Sequence, residues 1–342
     1  MGSLNLPTWT WVALLAAAFG SSALLTGWYR RYALGKRILD YPNERSSHTI
    51  ATPRGGGLAI VVVSLTGLLG ASAAGWISPR AGGVLAAAGL LVAIVGSWDD
   101  RWGLAARWRF LAHVCASILV VAALPPLPPL LLGHTQLQLG AAAFALAVFL
   151  LAAFININNF MDGIDAIAAT EAIFVFVACA LICGGGLRVV PAIAAAACGG
   201  FLLWNWPPAK IFLGDIGSGF LGLMMGAFIL WGSSAKPALL WSLAILPGAF
   251  VVDGGVTLLR RMASGQKWTQ AHRSHAYQHA ARKWGHRPIV LIFVLVNVLF
   301  IFPLSLLAAR YPADGAGFLA LAWAPLVVFV IRQGAGVSNP QK

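Results

Sequence analysis

Apolar runs long enough to cross a bilayer recur along the whole chain, and this recurrence constrains the fold more than any other feature of the sequence. A helix needs about 17 to 25 mostly apolar residues to span the hydrocarbon core, where only helices and closed barrels satisfy their backbone polar groups. The sequence therefore predicts an all-α, multi-pass membrane protein that forms one integral membrane domain over residues 1–342. We place eleven spans, at about 9–28, 57–77, 82–98, 109–125, 137–155, 167–184, 189–205, 218–232, 237–259, 288–308 and 316–331.

The distribution of cationic residues predicts how these spans are oriented. No cationic residue precedes the first apolar run, and Arg30 and Arg31 follow it, which favours a retained first span with its N-terminus outside and the C-terminus in the cytoplasm. In that orientation nineteen of the 23 lysines and arginines face the cytoplasm. The net charge of +13 then reflects topology and an anionic partner at the inner face, such as membrane lipids, and not nucleic acid.

Polar residues gather at the exit of the fifth span, in the stretch FININNFMDGIDAIAAT from Phe154 to Thr170. An unpartnered carboxylate or amide in hydrocarbon is costly, so such a group marks either a functional site or a helix end. If this stretch is helical, Asn159, Asp162 and Asp165 lie on or near one face, where they could converge on a cation or a sugar. A plain helix cap is the alternative for any one of them.

Most acidic residues also lie at the predicted inner face of the membrane. Of the ten acidic residues, only Asp314 lies outside, and most of the others are at the inner ends of spans or in inner loops. Carboxylates gathered at a membrane surface repel one another unless a divalent cation or a proton offsets the charge. The pattern therefore predicts a metal site. The aspartates concerned are Asp99, Asp100, Asp162, Asp165, Asp215 and Asp253.

Three inner loops carry groups suited to phosphate. The first, DYPNERSSHTIATPRGGG, combines Arg45, His48 and Arg54 with three glycines that favour close backbone approach by an anion. A second, IFLGDIGSGFLG, places Asp215 in a glycine-rich turn. The third, QAHRSHAYQHAARKWGHR, would present His272, His275 and His279 on one face if helical, with Arg273 nearby. Zinc binding and simple lipid anchoring by a basic helix are the alternatives for this last loop.

Taken in order, these motifs resemble the polyprenyl-phosphate N-acetylhexosamine-1-phosphate transferase family, and the resemblance covers nearly the whole chain. It rests on DYPNERSSHTIATPRGGG, SWDDRWG, NINNFMDGIDAIA, FLGDIGSG, PGAFVVD and AHRSHAYQ. The AHRSHAYQ form looks closest to the members that initiate O-antigen or related surface polysaccharides.

The resemblance implies transfer of a sugar 1-phosphate from a UDP-N-acetylhexosamine to undecaprenyl phosphate, with release of UMP. It implies Mg²⁺ or Mn²⁺ as the cofactor, a bacterial inner membrane location and a periplasmic N-terminus, with the active site at the cytoplasmic face. The identity of the sugar, the pathway, the choice between one step and a covalent intermediate, and the oligomeric state stay open, with a homodimer as one option.

Site roles follow from the resemblance residue by residue. Asp99, Asp100 and Asp215 are expected to be catalytic, with Asp99 deprotonating or orienting the lipid phosphate, and Asp215 and Asn159 are expected to bind the metal. The residues expected to bind substrate are Arg45, His48, Arg54, Asn156, Asp162, Asp165, Phe212, His272, Arg273 and His275, with Phe212 stacking on uracil.

Two departures from the family pattern bear on these roles. Members often carry Asp or Lys three residues after the second aspartate of the pair, where this chain has Gly103, and one expected contact with the lipid phosphate is thereby lost. Members also often read DGxDG, where this chain has Ala166.

Two other classes of function compete with the transferase. A transporter would also keep carboxylates among helices, and Asp253 would suit one, but no internal repeat accompanies it. A scaffold for other assembly enzymes would not require acids and bases in the same loops.

Overall fold

The structure is a computed structural model that describes residues 7–42, 50–266 and 272–337. Arg45 and His48 lie outside the described residues. Two short hairpins pair β1 (Leu39–Asp40) with β2 (Thr52–Pro53) and β3 (Leu130–Leu132) with β4 (Thr135–Leu137). The α-helices are α1 (Thr8–Gly35), α2 (Gly57–Ala73), α3 (Pro79–Trp102), α4 (Ala106–Ala123), α5 (Ala141–Met161), α6 (Ile167–Cys183), α7 (Val189–Asn205), α8 (Asp215–Ala235), α9 (Leu240–Ile245), α10 (Gly248–Ala263), α11 (Ala276–Trp284), α12 (His286–Val296), α13 (Phe302–Arg310) and α14 (Gly315–Arg332).

The helices confirm a polytopic membrane protein. Within the described ranges, eight helical segments are long and apolar enough to cross a membrane, and a ninth is added if the α9 and α10 region, bent by 68°, is one span. The apolar helices α2 and α6 are shorter, with 17 residues each. The count of eleven spans and their orientation stay predictions.

The helix α8 lies at the centre of the bundle, where 89% of its apolar window is buried. It packs on α3, α5 and α2. Small residues permit these contacts: Gly96 of α3 lies directly against the backbone of Asp215, and a Cβ on Gly222 would come within 2.9 Å of the Ile155 Cα. The packing brings the C-terminal ends of α3 and α5 and the N-terminal end of α8 to one place.

The ninth predicted span, at about 237–259, is broken in the structure. Its helix stops at Ile245, Pro247 follows, and α10 continues in a direction 68° away to Ala263. Proline has no N–H to continue the helical ladder, which accounts for a break at this point. The bend places α10 beside α14 and α5.

Backbone hydrogen bonds attach the β1–β2 hairpin to the segment that precedes α8. The Phe212 N–H donates to the Pro53 carbonyl at 2.8 Å, and the Gly56 N–H donates to the Phe212 carbonyl at 2.9 Å. Arg54 and Gly55 lie between these two contacts, so the Arg54 side chain is held next to the start of α8.

Candidate active site

The site is built on the start of α8, where Asp215 is the first residue. Gly214 precedes it in the left-handed region with φ of 76°, which favours glycine. The Asp215 N–H donates to Asp100 Oδ1 at 2.9 Å, and the Ile216 N–H donates to Asp100 Oδ2 at 3.1 Å. The Asp100 carboxylate therefore caps α8 from α3 and complements the positive end of the helix dipole.

Two arginines join three carboxylates around this helix start. Arg54 lies 2.7 Å from Asp100 and 3.5 Å from Asp215. Arg109 of α4 lies 2.6 Å from Asp99 and 3.0 Å from Asp215. We call Asp99, Asp100 and Asp215 the acidic cluster. With both arginines bound it carries one net negative charge.

The two neighbouring carboxylates change the pKa of Arg54. Burial lowers the pKa of its guanidinium, but the carboxylates of Asp100 and Asp215 outweigh that effect and raise the pKa above its ordinary value. Arg54 therefore keeps its charge at any physiological pH. Its side chain stays 29% exposed, so a substrate phosphate could reach it.

The amides at the end of α5 meet the same helix. Asn159 donates through Nδ2 to Asp215 Oδ1 at 3.1 Å and to Ser218 Oγ at 2.9 Å. Its neighbour Asn158 donates to the Ser218 carbonyl at 2.6 Å. The structure thus places the two residues expected to bind metal in direct contact.

The donor set around Asp215 suits a hard cation chemically. Carboxylate and amide oxygens are the ligands that Mg²⁺ and Mn²⁺ prefer. A cationic nitrogen of Arg109 already bridges Asp99 and Asp215, so this position attracts positive charge. Among the residues that the structure describes, no group of three or more His, Cys, Asp or Glu side chains has the arrangement of a metal site.

Asp162 and Asp165 lie beyond the end of α5 and not on it, so the expectation of one helical face through Asn159, Asp162 and Asp165 is wrong. The helix ends at Met161, and Asp162 leaves the helical conformation with φ of −85° and ψ of 45°. Burial raises the pKa of Asp162 well above its usual range, and the nearby carboxylates of Asp215 and Asp100 raise it further.

The side chain of Asp165 is occupied by structural contacts. Its Oδ2 accepts the Ala209 N–H at 3.0 Å and lies 3.2 Å from His286 Nδ1. Asn156 is similarly engaged, since its amide donates to the Ala152 carbonyl of its own helix at 2.7 Å and also interacts with His113. The substrate roles of both residues stay predictions, as does the stacking role of Phe212.

The histidine loop is not helical from its start, so the expected single face of His272, His275 and His279 is also wrong. The helix α11 begins only at Ala276. Buried Asp253 of α10 fixes this start by accepting the N–H of Ala276 at 3.0 Å and that of Tyr277 at 2.9 Å. Asp253 is therefore engaged as a helix cap, which removes the feature that favoured a transporter.

The first two histidines lie against each other, with ring centroids 4.9 Å apart. Burial, with His275 and Arg261 nearby, lowers the pKa of His272 to about 3, so this ring is neutral at physiological pH. His275 is only 2% exposed. Arg273 lines a cavity of about 70 Å³ together with Gly163, Ile164, Gln278, Ala281, Arg282 and His286.

Sequence reasoning missed Arg109 as a site residue and counted it only as an inner-face charge. It lies in the first turn of an apolar helix, and its partner Asp215 is 106 positions away. The available signal was that Arg109 is the last cationic residue before a long apolar run, where it has to find an anionic partner or water.

Comparison with known proteins gives a consistent result. The model of glycosyl transferase family 4 matches residues 83–233, a range that includes the acidic cluster and Arg109. The chain is 31% identical to a decaprenyl-phosphate N-acetylglucosaminephosphotransferase of Mycolicibacterium smegmatis, over 80% of this chain and 76% of the relative. It is 28% identical to a probable undecaprenyl-phosphate N-acetylglucosaminyl 1-phosphate transferase of Bacillus subtilis, over 84% and 81%. It is 30% identical to a phospho-N-acetylmuramoyl-pentapeptide-transferase of Frankia alni, over 90% and 98%.

Proposed function

The chain belongs to the polyprenyl-phosphate N-acetylhexosamine-1-phosphate transferases of glycosyl transferase family 4, and from that membership we propose that it transfers N-acetylhexosamine 1-phosphate from a UDP-sugar to undecaprenyl phosphate. The observation that carries the proposal is the meeting of Arg54, Arg109 and the acidic cluster at the ends of membrane helices. A lipid phosphate and a water-soluble nucleotide can both reach such a place.

In the proposed reaction an oxygen of the lipid phosphate attacks the β-phosphorus of the donor. The new phosphorus–oxygen bond forms as the bond from the β-phosphorus to the α-phosphate oxygen breaks, and UMP leaves with that oxygen. The two anionic substrates repel each other, so catalysis depends on positioning and on cationic groups. Arg54 and Arg109 supply two such groups.

The three carboxylates have different partners, which supports different roles. Both oxygens of Asp100 accept N–H groups of α8, so we assign it to holding Asp215 in place. Asp99 accepts the Leu104 N–H through Oδ1 and pairs with Arg109 through Oδ2. Because its side chain lies at the edge of the cluster, we assign Asp99 to orienting or deprotonating the lipid phosphate.

Asp215 and Asn159 would hold Mg²⁺ or Mn²⁺, with Asn159 binding through its amide oxygen. When bound, the divalent ion would neutralise charge on the donor diphosphate as the leaving group departs. The two arginines then act on the remaining phosphate oxygens, and His272, as a neutral ring, donates or accepts one hydrogen bond.

The location in the bacterial inner membrane and the cytoplasmic placement of the site belong to the same proposal. The nineteen cationic residues on one side support it. Cysteine labelling in intact cells and inverted vesicles tests the placement: cysteines introduced at the exposed positions Ala105 and Lys283 should react only from the cytoplasmic side, and reaction of either from the opposite side contradicts it.

The assay of function uses the detergent-purified protein, undecaprenyl phosphate and a panel of UDP-sugars, with UMP release as the readout. N-acetylglucosamine, N-acetylgalactosamine and 6-deoxy N-acetyl sugars make up the panel. We further propose that the lipid product initiates O-antigen or another cell-surface polysaccharide, which the AHRSHAYQ motif supports. Loss of that polysaccharide on gene deletion is the expected result.

A further inference from the structure

We propose that Tyr277 is a positioning residue whose buried hydroxyl closes the turn from Phe160 to Gly163. This turn contains Asp162 and directly follows Asn159, the proposed metal ligand. The inference rests on the proposed function for what the turn binds, whereas the contacts that carry it belong to described residues alone.

The hydroxyl of Tyr277 donates a hydrogen bond to a carbonyl at the end of α5 that has no partner within the helix. The last four carbonyls of a helix lack partners within the helix, and Phe160 is one of them here. Tyr277 donates its hydroxyl hydrogen to the Phe160 carbonyl at 2.9 Å. Its oxygen also interacts with the backbone of Gly163 and the side chain of Gln278. One hydroxyl thus bridges both sides of the turn.

Burial of the ring and a backbone hydrogen bond hold Tyr277 in place independently of the turn. It is fully buried, and its own N–H is held by Asp253 Oδ2 at 2.9 Å. Asp253 also accepts from Thr257 one turn along α10, at 3.1 Å. The start of α11, which carries Tyr277, is therefore anchored to α10 through Asp253.

The backbone of Gly163 lies very close to the Tyr277 hydroxyl. A Cβ on that residue would collide with the Tyr277 hydroxyl and would come within 2.7 Å of the Gln278 Nε2. Any side chain at position 163 thus requires either the hydroxyl or the turn to shift.

The turn matters because its neighbours belong to the site. Asn159, adjacent to Phe160, donates to both Asp215 and Ser218, and Asp162 lies in the turn itself. Loss of the hydroxyl removes this donor from the Phe160 carbonyl and the link from Phe160 to Gly163, so the turn relaxes. A displacement of about 1 Å can cost about 100-fold in rate, and we expect at least about a tenfold fall in kcat/KM.

Tyr277→Phe on the full-length, detergent-purified protein tests the inference, with Tyr311→Phe as the matched control. Tyr311 is 52% exposed and follows α13, far along the chain from the site. Hydrogen–deuterium exchange should become faster in residues 160–166 of Tyr277→Phe only. The KM for UDP-sugar and the Mg²⁺ concentration for half-maximal rate should also rise, because the turn contains Asp162 and directly follows Asn159, the proposed metal ligand.

A second variant, Gly163→Ala, retains Tyr277 and clashes with the same hydroxyl, so faster exchange in residues 160–166 of that single variant tests the inference even where Tyr277→Phe folds poorly. Gly163→Ala should reduce kcat/KM in the parent, and by a smaller factor in the Tyr277→Phe background, where the colliding hydroxyl is gone. Equal factors in both backgrounds contradict the proposal.

Other outcomes separate this inference from the proposed function. Unchanged exchange in residues 160–166, or a lower yield of active protein with unchanged KM and Mg²⁺ dependence, overturns the positioning role. A parent protein that releases no UMP refutes the proposed function, and the exchange experiment still decides the role of Tyr277.

Discussion

Replacing Arg109 by alanine is the perturbation that separates electrostatic positioning from simple metal binding. In the parent, Arg109 places one guanidinium nitrogen 2.6 Å from Asp99 and 3.0 Å from Asp215. Removal of the side chain changes the formal charge of the acidic cluster and its arginines from minus one to minus two. Two partly buried carboxylates then face each other without the cation between them.

The magnitude follows from how buried the three groups are. Removing one partner of a fully buried ion pair costs about 3 to 5 kcal/mol. Arg109 is 31% exposed, and Asp99 and Asp215 are 11% and 19% exposed, so water screens part of that cost. We therefore expect Arg109→Ala to lower the free energy of unfolding by about 2 to 3 kcal/mol. Loss of a preorganised cation from the transition state is a separate effect and should lower kcat/KM by about 100-fold.

The Mg²⁺ dependence should move in the opposite direction. The more negative cluster attracts a divalent ion more strongly, so Arg109→Ala should reach half-maximal rate at a lower Mg²⁺ concentration than the parent. Arg109→Lys, which keeps the charge, should resemble the parent in Mg²⁺ dependence while losing some rate.

UMP release at varied Mg²⁺, undecaprenyl phosphate and UDP-sugar measures both effects. Arg107→Ala is the control, because Arg107 lies over the Trp108 ring at 5.7 Å. Parent-like kcat/KM in Arg109→Ala would refute the role of Arg109. A higher Mg²⁺ requirement would mean that Arg109 supports the metal site instead of competing for its charge.

Three further predictions follow from the site. Asp215→Asn should abolish metal-dependent binding of UDP-sugar in calorimetry, whereas Asp99→Asn should lower kcat and leave that binding nearly intact; the reverse pattern would exchange their roles. Excess EDTA should stop UMP release and Mg²⁺ or Mn²⁺ should restore it, so full turnover in EDTA counts against the metal. The pKa of His272 is lowered to about 3, so between about pH 6.5 and pH 3 the unfolded state binds a proton that the folded state does not. The free energy of unfolding therefore decreases as the pH is lowered through this window. His272→Gln should make that fall shallower in thermal unfolding, and an unchanged slope would contradict the neutral ring.

The grouping of the acidic cluster could be predicted from sequence because each aspartate marks the inner end of a span. Membrane topology places such ends in one layer. The family resemblance then predicted that Asn159 and Asp215 act together, and the structure places Asn159 Nδ2 3.1 Å from Asp215 Oδ1. The partner of each carboxylate could not be predicted. That Asp100 caps α8 depends on the close packing of α3 on α8 at Gly96, which the local sequence does not encode.

Errors arose where a helical period was extended across a polar segment. The period predicted one face through Asp162 and Asp165, but α5 ends at Met161. In the histidine loop the start of α11 is set by Asp253, more than 20 positions earlier. Both boundaries depend on tertiary hydrogen bonds, and a pattern of neighbouring residues contains no information on those partners.

The most direct test of the account is UMP release by the purified parent protein with undecaprenyl phosphate and UDP-N-acetylhexosamines in the presence of Mg²⁺. The account predicts stoichiometric formation of UMP and a diphosphate-linked lipid sugar with at least one of the donors, and neither product without the lipid phosphate. Intact donor and lipid after prolonged incubation with folded protein, across the whole panel, would contradict it.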